Sequence, residues 1–184
     1  MRLGLNWGLS LATIAALILF TACTFTACTT SQSVSKPNVP LNQVTLDPNK
    51  IVTGQTLYVP VYSYIYTVDQ TRRIDLTTTL SIRNTDLDHA IIITSIKYYN
   101  TNGDLVRTEL ENPTELPRLA ATDFVVAQSD VSGGVGANFV VDWVAEAAVS
   151  APVIEAVMID TISNQGISFV SPGRVIQSRG AESN

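Results

Sequence analysis

The chain has 184 residues, 16 acidic against 11 basic, a net charge of −5 and 46% hydrophobic residues, with both cysteines in the first 28 positions. That charge balance argues against a nucleic-acid binder, which needs a basic surface for phosphates. Cysteine placement rules out a disulfide framework after Cys28, so whatever folds there must be held by its own core, and the length suffices for one.

Arg2 precedes an uncharged stretch rich in Leu, Ile and Ala from Leu9 to Phe20, followed by small residues at Thr21 and Ala22. A basic start, an apolar middle and a small-residue end make the layout of an export signal. The sequence Phe-Thr-Ala-Cys occurs twice, ending at Cys23 and at Cys28. A small residue before a cysteine suits the bacterial peptidase that cleaves ahead of a lipidated cysteine. The expectation is a lipoprotein signal peptide over residues 1–22 with lipidation at Cys23, and Cys28 as the alternative. An uncleaved anchor is the other reading, since about 20 apolar residues span a bilayer. Each places the remainder outside the cytoplasm, in the cell envelope on the periplasmic or extracytoplasmic side, with the membrane as a partner through the N-terminus.

Residues 23–50 read as a lipid-anchored flexible tether, because Thr29 to Lys50 is dominated by Ser, Thr, Gln, Asn and Pro. About 20 residues of coil reach on the order of 25 Å.

From Gln55 the period is 2. Leu57, Val59, Val61 and Ile65 alternate with Tyr58, Tyr62, Tyr64 and Tyr66, as in a strand, with Pro60 implying an edge or bulge. Ile74, Leu76, Leu80 and Ile82 alternate with Asp75, Thr77, Thr79, Ser81 and Arg83. His89 to Tyr99 is apolar on both sides and expected to be central. Asn102-Gly103 offers a left-handed backbone for a hairpin returning along Asp104–Leu110. Further strands are expected at Asp123–Ala127, Asn138–Val144, Val153–Ile162 and Gly166–Ser171, with a helical turn over Ala145–Ala151 and Trp143 in the core. Roughly seven or eight short strands separated by turn signals imply an all-β, immunoglobulin-like antiparallel β-sandwich over residues 51–176, with 177–184 a disordered C-terminal tail.

Several blocks resemble a known bacterial family: Leu57–Tyr64, Leu80–Asp86, Lys97–Gly103, Gly133–Phe139, Glu155–Met158 and Gln165–Phe169, in that order over about Gln55 to Arg174. They are similar to the domain of unknown function 3124 (DUF3124). The resemblance implies a single envelope domain and carries no assigned activity.

The chemistry-bearing residues are few. Ser132–Asn138 is glycine-rich but lacks the Lys-Ser/Thr ending of a phosphate loop and precedes a strand, so its glycines read as a turn. Asn84–His89 clusters oxygen ligands with the chain's one histidine. Without an EF-hand's glycine and glutamate it reads as an Asx turn rather than a calcium loop. No metal or cofactor is implied. Asp142 and Glu155 are carboxylates in apolar strands, and Glu155 is expected to pair with Arg83. Tyr58, Tyr62, Tyr64 and Tyr66 form the candidate binding face, since tyrosine joins contact area to a hydroxyl and suits an envelope protein or glycan. The resulting expectation is a non-catalytic binding or structural module of the envelope. The alternative is a lipid-anchored, hydrolase-like enzyme using carboxylates or His89.

Overall fold

In the computed structural model, residues 42–161 and 166–180 are described. The leader, Cys23, Cys28, most of the tether and residues 181–184 lie outside them. The described residues form an antiparallel β-sandwich, with no helix among them long and apolar enough to cross a membrane.

Among the described residues thirteen strands occur, in chain order β1 (Asn42–Gln43), β2 (Thr53–Pro60), β3 (Tyr64–Tyr66), β4 (Arg73–Asp75), β5 (Thr77–Arg83), β6 (Ile91–Tyr99), β7 (Leu105–Leu110), β8 (Thr114–Leu116), β9 (Ala121–Val126), β10 (Asn138–Ala145), β11 (Val153–Asp160), β12 (Ile167–Pro172) and β13 (Arg174–Arg179). The larger sheet has seven strands in the order β1-β8-β6-β10-β2-β13, with β7 also on β6. The smaller runs β12-β11-β5-β9, and β3 pairs with β4 alone.

Alternation fills the space between the sheets. Leu57 and Val59 of β2, Phe139, Val141 and Trp143 of β10, Leu80 and Ile82 of β5, and Ile154, Ala156 and Met158 of β11 are all buried there. Strand β6 is central, as its composition implies: one edge pairs with β10, while the other is shared, Ile91–Ile93 with β8 and Ile96–Tyr99 with β7. Its apolar character on both sides has a cause in register. Asp142 sits opposite Ser95 and Trp143 opposite Ile93, leaving Thr94 as an extra residue. One inserted residue reverses which face each side chain takes. Ile91 and Ile93 therefore point inward before the bulge, and Ile96 and Tyr98 point inward after it.

Several expectations change. The strand expected from Gln55 to Tyr66 is two, because Pro60 has no amide to continue the ladder and the next amides turn aside: Val61 N donates to Ala137 O and Ser63 N to Gly134 O. The Asn102-Gly103 hairpin is present, but only Gly103 has positive φ (84°). Gly103 N donates to Asn100 O, Asn100 N to Asp104 O, and Asn100 Oδ1 accepts from the Asn102 and Asp104 amides. That is a three-residue loop ending in a left-handed glycine rather than a two-residue turn. Ala145 closes β10, and Glu146–Ala151 forms a loop, not a helical turn. The end of the expected tether is structured, since β1 pairs with β8 and Pro48–Lys50 forms a 3-10 turn capped by Asp47. The expected tail gives up Gln177–Arg179 to β13, which pairs with β2.

Candidate functional site

The four tyrosines do not share one strand face. Tyr58 lies mid-sheet on β2, opposite Val140 and Arg174. Tyr62 follows the break and meets Phe169 of β12 edge-on, with ring centroids 5.8 Å apart. Tyr64 and Tyr66 sit on β3 with their rings 5.7 Å apart, and the Arg73 guanidinium lies 4.7 Å from the Tyr64 ring centre. Two sheets and the loop between them thus carry what the alternation assigns to one stripe.

The structure brings Arg83 and Glu155 together: Nη1 lies 3.1 Å from Oε1, diagonally across β5 and β11. Arg83 is half-exposed, which limits such a pair to about 0–1 kcal/mol. Asp142 is elsewhere, in β10 of the larger sheet, where the Thr56 hydroxyl donates to its Oδ1. The two candidate carboxylates therefore do not form a pair.

The glycine-rich loop is a packing device. A Cβ on Gly133 would lie 2.0 Å from Tyr98 Oη and 2.7 Å from both Ser63 Oγ and Ala137 Cβ, so only glycine fits over the buried Tyr98–Ser63 hydrogen bond of 2.8 Å. Burial pushes the Tyr98 phenol above its ordinary pKa. Asp130, just before the loop, receives a hydrogen bond from Arg107, whose Nε also donates to Glu109 at 2.6 Å. Burial alone would raise the Asp130 carboxyl, but hydrogen bonds from Ser132 and Arg107 outweigh it and hold it low.

Asn84–His89 is a turn in which the side-chain oxygens of Asn84 and Asp86 are engaged by the protein's own amides. Asp86 Oδ2 accepts from Ser150 N at 2.9 Å, and its Oδ1 from Asp88 N at 3.0 Å and His89 N at 2.8 Å. The Ser150 amide first, then those of Asp88 and His89, hold the Asp86 carboxyl far below the usual range. Asn84 Nδ2 reaches the carbonyls of His89, Leu116 and Pro117. Among the described residues no group of three or more His, Cys, Asp or Glu is placed to hold a metal.

These bonds tie the β5–β6 turn to the end of β8 and to the β10–β11 loop, and where the three meet there is an open cleft of about 470 Å³. Val44, Ala90, Ile92 and Ala147 give it apolar walls, while His89, Glu115 and Glu146 supply polar groups. His89 Nδ1 lies 3.3 Å from Asp86 Oδ1, so the carboxylate orients the ring. The cleft is suited to holding a ligand with an apolar body and a donor or cationic group. Of its lining, only His89 is marked by the sequence. Glu115 lies on a three-residue strand and Glu146 in the loop after β10, positions with no local signature.

The protein-family model described as "Protein of unknown function (DUF3124)" matches residues 54–176, about two thirds of the chain. No curated protein matches. A crystal structure of Thermotoga maritima 1070 is similar over 65% of this chain and 92% of its own, at 12% identity and a TM-score of 0.39, a likeness too distant to bear on activity.

Proposed function

Because the chain belongs to the DUF3124 family, whose description assigns no activity, we propose from its own residues that it is an exported, lipid-anchored β-sandwich acting as a non-catalytic binding module of the bacterial cell envelope. The cleft beside His89 is its ligand-facing surface. Export and anchoring are supported by the Leu9–Phe20 run with Ala22 before Cys23. Binding is carried by one observation: a concave surface with apolar walls and a few polar groups, the usual make-up of a recognition site, opens where three loops are pinned together. The tyrosines, spread over two sheets and the loop between them, form no comparable single surface.

A photo-crosslinking residue at position 146 of the full chain, in its native envelope, should give a discrete adduct. The same residue at position 125, in β9, should not. Ala147→Arg, which fills the cleft, should abolish the adduct. No adduct from position 146, or one indifferent to Ala147→Arg, removes the cleft from the proposal.

The Asp86–His89 contact favours a second reading, a hydrolase-like enzyme, since a carboxylate-oriented imidazole is the arrangement of a general base. The two readings part on His89→Asn. In a binding module the adduct and the envelope phenotype are kept or lost together, whereas an enzyme keeps the adduct and loses the phenotype.

A further inference from the structure

Strands β3 and β4 pair only with each other, so their hairpin is rooted by its base alone: Ile65 and Ile74 pack on the core, and Leu76 N donates to Ser63 O. Beyond that base everything from Tyr66 to Arg73 is exposed. The tip is held in shape by Asp69, whose Oδ1 accepts from Thr71 N at 2.8 Å, and by Thr67 N donating to Arg72 O. Val68 at this tip is 76% exposed, the most exposed large hydrophobic residue among those described, and Tyr66 is 44% exposed. Arg72 and Arg73 are the only adjacent basic residues in a chain of net charge −5.

We propose that the β3–β4 hairpin is a membrane-docking element that rests on an anionic lipid surface, with Val68 in the acyl boundary, Tyr64 and Tyr66 at the headgroup level and Arg72 toward lipid phosphates. An aliphatic tip has nothing to bury against within the fold. Tyrosine partitions to the water–lipid boundary because one end is apolar and the other wet. Asp69 and Asp75 offset Arg72 and Arg73, with Arg73 paired to Asp75 at 2.9 Å, so the hairpin is neutral with Arg72 the arginine left for phosphates. The rest of the domain is acidic and repelled, and the field thus favours the orientation with the hairpin down. The proposal relies on the lipid anchor only for proximity, which makes weak docking effective through local concentration.

The test places the full chain in vesicles of phosphatidylcholine and phosphatidylglycerol containing a trace of photoactivatable phosphatidylglycerol, and maps lipid adducts by mass spectrometry. Adducts should concentrate on residues 64–73 and avoid the turn at Leu119, another exposed large hydrophobic residue. Val68→Asp combined with Arg72→Gln should cut them about tenfold, given the attraction per basic residue. Val68→Leu should retain them, and an unchanged melting temperature in each variant keeps folding out of the comparison. Adducts spread evenly, or indifferent to Val68→Asp/Arg72→Gln, overturn the proposal. The N-terminal peptide in the same digest tests the anchor separately. An unacylated terminus defeats the anchor and leaves the adduct map to judge the hairpin, while an acylated terminus with no hairpin adducts defeats the hairpin alone.

Discussion

At the scale of single residues, two positions bear the most weight. Gly133 is where the β9–β10 loop crosses Tyr98, and a methyl group would overlap the phenol oxygen. Gly133→Ala should cost about 1–3 kcal/mol in urea unfolding, the usual range for overpacking. Much of the clash is with the hydroxyl, so Tyr98→Phe in the same chain should recover part of the loss despite removing the bond to Ser63; strictly additive costs would count against this account. Asp86 carries a pH dependence of definite sign. Its folded carboxyl is held low by backbone amides, whereas an unfolded aspartate titrates near ~3.9. Its contribution is therefore complete above about pH 4 and is lost as pH falls toward the folded value. The melting-temperature gap between wild type and Asp86→Asn should be widest near neutral pH and narrow in acid. A gap that does not change with pH would refute this role.

At the scale of elements, what alternation can encode was legible and what register or pairing decides was not. β5 and β11 show clean period-2 burial, β10 shows it from Phe139 to Trp143, and all three lie close to where the pattern places them. β6 was legible as central, but its two inward phases follow from Thr94, which looks ordinary until its partner on β10 is known. β1 has two residues and β8 three, too few for a period to form. β13 is exposed at every position, so no apolar side marks it. The cleft was hidden for the same reason: its lining comes from segments distant in sequence, and only His89 is conspicuous alone. Strand β13 offers a direct measurement. A chain stopped after Ile176 loses the pairing of Gln177, Ser178 and Arg179 with Thr56, Gln55 and Gly54. It should be less stable by about 1–3 kcal/mol, from net backbone bonds of roughly 0.5–1.5 kcal/mol each. An unchanged denaturation midpoint would mean that the edge of β2 needs no cover.

At the scale of the whole molecule, the leader and the sandwich make separate claims. The mature N-terminus should be acylated Cys23. Cys23→Ala should abolish the acylated form seen by mass spectrometry, and Cys28→Ala should leave it; the reverse result would move the anchor to Cys28, and a retained Met1 would remove it. The N-terminal side of the domain also has a mechanical property. Strand β1 is joined to the sandwich by the pairing of Asn42 and Gln43 with Glu115 and Thr114, and by Val44 N donating to Pro113 O. Tension applied at residue 42 is borne first by those few bonds, well before it reaches the eight-residue ladder of β2 with β10. Val44 and Thr45 are also part of the cleft wall, so the first segment to peel under load takes that wall with it. A pulling trace should therefore contain a small early extension that leaves the core intact, and ligand held in the cleft should raise the force at which that step occurs.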